Sequence, residues 1–375
     1  MKYKILAGSL TAHPNTAGTH LDNYVKNKHQ IAKDICEALI LHDQIYIPIQ
    51  DYLTACGLVS ILGENNTISL LESDQIRFVR ARHQLIFVKS RHLPGEIGLM
   101  TAQEGHPSSS PHNRSIALGL DVLENIIPLK NRKSLERLLA QQTDSVNIDD
   151  YLKDIKKTAR SIFRRTPVAS KPMNDFLGEL PDGRAQVNML RVSPLDINNP
   201  IQVMIGLASI YYETNLLKKY NCSSNSSAVD WNNLSGLTAP GTSSSAENLW
   251  SITELYKIPD LGEVLLSDGS YCKKIIKITR SSDAAQFRQW FHDNENLSTK
   301  EIQQEFVALT DKEPWFKTPV GSYLCWGIPI MVGFVIGPLA GIPLSLANKL
   351  LGKVKGQSPK YFISSLCKIT PQKKV

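Results

Sequence analysis

Few residues in this chain are spaced for catalysis. Glu104, His106 and His112 gather in the stretch PGEIGLMTAQEGHPSSSPHNR, 94–114. Two histidines beside a carboxylate are the residue types that hold a metal or pass a proton. Their His-x5-His spacing, however, is not the i, i+4 pair that sets two imidazoles on one helical face, and a polar loop leaves histidines solvated. Asp144, Asp149 and Asp150 form a second acidic group. It reads better as carboxylates at the start of a basic helix, where the dipole favours them, than as a cation site. Glycine-rich phosphate loops, nucleophile elbows, H-E-x-x-H, paired C-x-x-C and kinase signatures are absent from the sequence. No catalytic, cofactor-binding or metal residue is assigned, and the chain is not expected to be an enzyme.

Basic residues are better organised. QIRFVRAR (75–82) and HQLIFVKS (83–90) alternate as a β-hairpin would. Arg77, Arg80, Arg82 and Lys89 then become candidate contacts to nucleic acid or a partner. Upstream, 21–41 carries an apolar stripe of Leu21, Tyr24, Ile31, Ile35, Ala38 and Leu39. A strand over 43–51, helices over 51–63 and 66–74, and the hairpin follow. Helix, strand, helix, helix, hairpin is a winged-helix-like element order across 21–90. The short 66–74 helix lacks a basic face, so a half-exposed hairpin of no nucleic-acid role explains the same residues. Residues 115–142 read as helix broken at Pro128. YLKDIKKTARSIFRR (151–165) sets Leu152, Ile155, Ala159, Ile162 and Phe163 against a basic face, as a surface helix or an anionic-membrane helix does.

The elements that must position these residues fall into an α+β chain. Residues 1–220 make a mixed soluble N-terminal region of helices and β-hairpins. A Ser/Asn/Gly-rich linker or long loop occupies 221–246. A small ββαα module spans 247–312: LGEVLLS and SYCKKIIKITR flank the turn signal Asp268-Gly269, a helix starts at Ser281 or Ser282, and Ser298 and Glu301 form a capping box. Six scattered cysteines suit reduced thiols. The N-terminal MKYKILAGSL has too short an apolar stretch for a secretory signal.

The least ordinary stretch is the end. Thr318 to Asn348 is an uncharged run of 31 residues, more than the roughly 20 that cross a bilayer. It is expected to be a membrane segment, helical or re-entrant. Trp315 and Trp326 stand near its front, as aromatics do at an interface. Gly333, Gly337 and Gly341 share one helical face and would let two helices approach closely. The tail 349–375 has seven lysines and no acid, against a net charge of +7 for the whole chain. The rest is therefore near neutral. Lys349, Lys353, Lys355 and Lys360 are candidates for anionic lipid. With a lysine tail that favours the cytoplasmic side, both ends stay inside if the segment turns back at Pro329 or Pro338; otherwise it inserts as a multimer and uses the glycine face to build a pore. A single-chain bundle of many spans is excluded by composition.

In its plan, a sensing region (1–312), a glycine-zipper run (318–348) and a lysine tail, the chain resembles the membrane effectors of bacterial anti-phage (abortive-infection) systems. The resemblance implies permeabilisation or depolarisation of the inner membrane and activation by a sensor or regulatory protein or a nucleotide signal, while self-association is what the glycine face implies. It implies a chain that is cytoplasmic at rest and at the inner membrane when active. The alternative expectation is a soluble nucleic-acid-binding or adaptor protein in a multi-protein complex, with the hydrophobic run buried by a partner.

Overall fold

The structure, a computed structural model, describes residues 2–10, 27–49, 52–81, 83–89, 97–103, 116–146, 184–187, 214–224, 245–256, 258–294, 297–311 and 359–369. The chain falls into two compact units, Met1–Ala38 with His42–Thr242, and Leu39–Leu41 with Ser243–Val375.

The first unit is built on strand–helix alternation. β1 (Lys4–Leu6) leads to α1 (Lys28–Leu41), then β2 (Gln44–Ile49), α2 (Leu53–Leu62), α3 (Glu64–Glu72) and β3 (Ile76–Ala81). Such an order feeds a parallel sheet, because each return to the starting edge needs a crossover. α4 (Ile116–Glu124) and α5 (Arg132–Gln141) precede β6 (Thr143–Val146), and a helix at 214–220 (α6) precedes β8 (Ser223–Ser224). These five strands form one sheet in the order β6-β3-β2-β1-β8, with every pair parallel.

Register makes the two faces of this sheet unlike. Ile5 lies beside Ile45, Ile45 beside Ile76, and Ile47 beside Phe78; all are buried. The other face carries the row Leu6, Tyr46, Arg77. Steps from β1 to β2, β3 and β6 all run the same way, so right-handed crossovers put α1 to α5 over one face. There α2 packs on α4, and α3 on α5. Gly63 ends α2 and starts α3 with φ 80, a left-handed conformation that glycine takes without a Cβ clash. At Gly119 of α4 an added Cβ would stand 3.1 Å from the Tyr52 Cβ, so helix contact there depends on the missing side chain.

The chain is mixed α and β, but the winged-helix order is not what its N-terminal elements build. β3 and β4 (His83–Lys89) do not pair with one another. β3 sits between β2 and β6, while β4 pairs antiparallel with β5 (Ile97–Gln103) and β7 (Arg184–Val187) in a separate three-stranded sheet. Alternation marked both strands correctly and said nothing of their partners. Likewise Asp144 starts no helix; it lies on β6.

The second unit is helical. Its elements are α7 (Ser245–Leu255), α8 (Leu261–Ser267), α9 (Gly269–Thr279), α10 (Ser282–Asp293), α11 (Thr299–Asp311) and α12 (Pro359–Cys367). The expected hairpin about Asp268-Gly269 is absent. Asp268 instead caps α9, its Oδ1 accepting from the Ser270 N–H at 2.9 Å. Leu261, Val264 and Leu265 are buried, and so are Cys272, Ile275, Ile276 and Thr279; both spacings are helical. The module 247–312 is therefore all-helical among its described residues. Ser281 does cap α10, accepting from Ala284 N–H at 3.2 Å. Ser298 and Glu301 do form the capping box, Ser298 N–H donating to Glu301 Oε2 at 2.9 Å.

The core of this unit is aromatic. Phe287 stacks on Phe362 with centroids 4.8 Å apart, and Trp290 meets Phe306 edge-on at 5.1 Å. Arg288, 4% exposed, donates to the carbonyls of Thr279 (2.9 Å), Ile40 (3.3 Å) and Leu39 (3.4 Å). A buried guanidinium is tolerable only where its donors meet acceptors in this way.

Candidate functional site

Two places in the first unit bring polar groups together. The first is the carboxyl edge of the parallel sheet. β1 has its successor β2 on one side and the last strand, β8, on the other, so the strand order reverses there. Open α/β sheets take ligands in the crevice beyond such a reversal, where the loops part. β1 leaves the sheet through Ala7, whose N–H donates to the Tyr46 carbonyl at 2.8 Å, and then turns through the 3-10 segment Gly8–Leu10. Farther along the same edge, Arg80 is the penultimate residue of β3 and is 7% exposed. Its guanidinium carbon lies 5.2 Å from the ring centroid of Tyr52, a cation–π contact at the start of α2.

The second place is the polar face of the sheet, nearer its amino end. Arg77 Nε donates to Asp74 Oδ1 at 2.6 Å and to Gln142 Oε1 at 3.1 Å; its Nη1 is 3.5 Å from Asp144 Oδ2. Gln44 Nε2 donates to Asp74 Oδ2 at 2.7 Å, and Tyr46 Oη donates to Gln44 Oε1 at 3.0 Å. Asp74 holds this position with φ 59, a left-handed turn that aspartate visits more readily than most residues. The Tyr46 ring stacks on Tyr220 of α6 at 4.4 Å, and Lys4 Nζ donates to the Tyr220 carbonyl at 3.4 Å.

Electrostatics follow from this packing. Burial raises the pKa of Tyr46 above the ordinary phenol value. Burial also raises that of Tyr220, and the negative Asp144 adds to it. For Arg77 burial opposes the charge, but the hydrogen bond it donates to Asp74 and the fields of Asp74 and Asp144 outweigh it, and its pKa rises. The arrangement is an engaged network: both Asp74 oxygens and the Arg77 fork already have partners. It clamps α6, and with it β8, onto the sheet.

The residues singled out from sequence lie as follows. Arg77 is committed to the network, and Arg80 is buried at the carboxyl edge. Lys89 is on β4, and Arg82, between β3 and β4, lies outside the described residues. So do Glu104, His106, His112, Asp149, Asp150, the basic stretch 151–165, Trp315, Trp326, Gly333, Gly337, Gly341, Lys349, Lys353 and Lys355. Lys360 is on α12. Among the described residues no cluster of metal-ligating side chains exists, and no helix is long and apolar enough to cross a membrane. Cys36, Cys56 and Cys272 are buried, and Cys222 and Cys367 are half-buried.

Sequence reading missed Tyr46, Asp74, Gln142 and Tyr220. Gln44 and Tyr46 at alternate positions of an otherwise apolar strand, QIYIPI, were the available sign of a polar sheet face. It also missed that the lysine tail is in part docked: Phe362, Ile363, Leu366 and Ile369 are all buried.

Compared with known proteins, the chain matches no family model, no curated protein and no solved structure.

Proposed function

We propose that the chain is a membrane-acting effector that permeabilises or depolarises the bacterial inner membrane, in the manner of anti-phage defence. The observation that carries this reading is the uncharged run of 31 residues, 318–348, followed by seven lysines without an acid. Such a run is long enough to enter hydrocarbon, and the lysines suit anionic head groups. Gly333, Gly337 and Gly341 would supply the face for self-association. The carboxyl edge of the parallel sheet, at the β1/β8 reversal, is the natural seat for an activating signal. The chain would rest in the cytoplasm and act at the inner membrane.

The alternative of nucleic-acid binding through 75–91 has less to stand on, because Arg77 is ion-paired within its own unit and Arg80 is buried.

The test is dye leakage from anionic vesicles. Cutting the chain before 318 would also strip α12 from the helical core, so the comparison should be the full chain against one in which 318–348 is replaced by a Gly/Ser linker. Leakage is expected from the first alone; equal leakage from both would sink the reading. In cells, Gly337→Leu should abolish toxicity while leaving the helical unit folded.

A further inference from the structure

Helices of the second unit precede and follow the uncharged run in sequence. α11 ends at Asp311 ahead of it, and α12 begins at Pro359 behind it. α12 packs against α9, α10 and α11. Phe362 is fully buried on Phe287, and Ile363, Leu366 and Ile369 are no more than 3% exposed. Sending the C-terminus through a bilayer would require these four side chains to leave their core and carry Lys368, Lys373 and Lys374 with them. Positive side chains are held back on the side of synthesis.

Length adds an independent constraint. Two full crossings take about 40 apolar residues, one about 20. The run has 31 without charge, enough to go in, not enough to go across and return. Pro329 and Pro338 flank its midpoint, Gly333, and proline interrupts a continuous helix.

We propose that α12 is a return anchor: when the run enters a bilayer, both its ends stay on the face where the helical unit stands, and the run inserts partway without carrying the C-terminus across. This rests on the membrane reading above and adds its sidedness. Permeabilisation then comes from one-sided insertion, in several copies, rather than from a single crossing in each.

The experiment uses the full chain with one epitope tag ahead of Met1 and a different one after Val375, added to sealed vesicles rich in anionic lipid. Vesicles are washed with alkaline carbonate so that only inserted chain is scored, then treated with external protease, with and without detergent. Loss of both tags without detergent is the expected result. Survival of the C-terminal tag until detergent is added, with the N-terminal tag lost, would overturn the anchor while leaving the membrane reading intact. No carbonate-resistant chain in the vesicles would overturn the membrane reading and the anchor together.

Discussion

Each of the two units has its own kind of internal chemistry. The parallel-sheet unit has one apolar face, built on Ile45, Ile47 and Phe78, and one face crossed by the Arg77 network. The helical unit joins its helices through aromatics that meet stacked or edge-on, Phe287, Trp290, Phe306 and Phe362. Apolar burial is strong and is not screened by salt; part-exposed ion pairs are weak and screened. Large effects should therefore come from side-chain volume in the helical unit, and small ones from charge on the sheet.

The largest effect is expected at Phe362. Replacing a fully buried phenylalanine by alanine costs about 3–5 kcal/mol, a large part of a domain's stability of about 5–15 kcal/mol. Phe362→Ala should strip hydrogen-exchange protection from α9, α10 and α11 and leave β1, β2 and β3 as slow as before. If α9 to α11 keep their protection, α12 is not part of that core. In the sheet unit the corresponding site is Gly119. An alanine there meets Tyr52 Cβ at 3.1 Å and Cys56 Sγ at 3.4 Å. Overpacking costs about 1–3 kcal/mol, and helix propensity returns about 1 kcal/mol. Gly119→Ala should thus lower the melting temperature of the sheet unit modestly, with no change in the helical unit.

The contrast also explains what the sequence disclosed. Helical periodicity with a clear stop was readable: the 51–63 segment is α2 with Gly63 behind it, and Ser281 and Ser298 cap as expected. Element type failed where one strong local signal outweighed periodicity. Asp268-Gly269 is a turn dipeptide, but aspartate is equally an N-cap, and Cys272, Ile275, Ile276 and Thr279 already spelled a buried helical stripe. Pairing failed for a deeper reason. Alternation over 75–90 defines two strands, yet a strand's partners are set by tertiary crossovers, and β3 found its own in β2 and β6. The Arg77 network was illegible for the same reason: Gln44, Asp74, Gln142 and Tyr220 meet only once the sheet has formed.

Thiol titration gives a middle-sized test of the helical unit. Burial pushes the Cys272 thiol from 9.0 up to about 12, and burial likewise pushes Cys367 up to about 11. Both folded values lie above the unfolded one, so the contribution is fully present below pH 9 and is lost as pH rises towards these values. Urea midpoints of the helical unit should fall across that window, and Cys272→Ala should flatten the fall. A slope identical in the two proteins would remove Cys272 from the account.

The smallest effect should be at Asp144. Its side chain is 32% exposed and that of Arg77 30%, at 3.5 Å, so solvent screens the pair and a loss below about 1 kcal/mol is expected. Asp144→Asn keeps the shape and removes the charge. Because that charge is the cause next after burial of the raised Tyr220 pKa, tyrosinate absorbance should develop at lower pH in the variant. A double-mutant cycle with Arg77→Gln should give a coupling that shrinks with added salt. If Asp144→Asn instead costs several kcal/mol and the coupling ignores salt, the network is shut away from water. The polar face would then be a second core, closed by chain beyond α6, and the division between an apolar helical unit and a screened sheet face would fail.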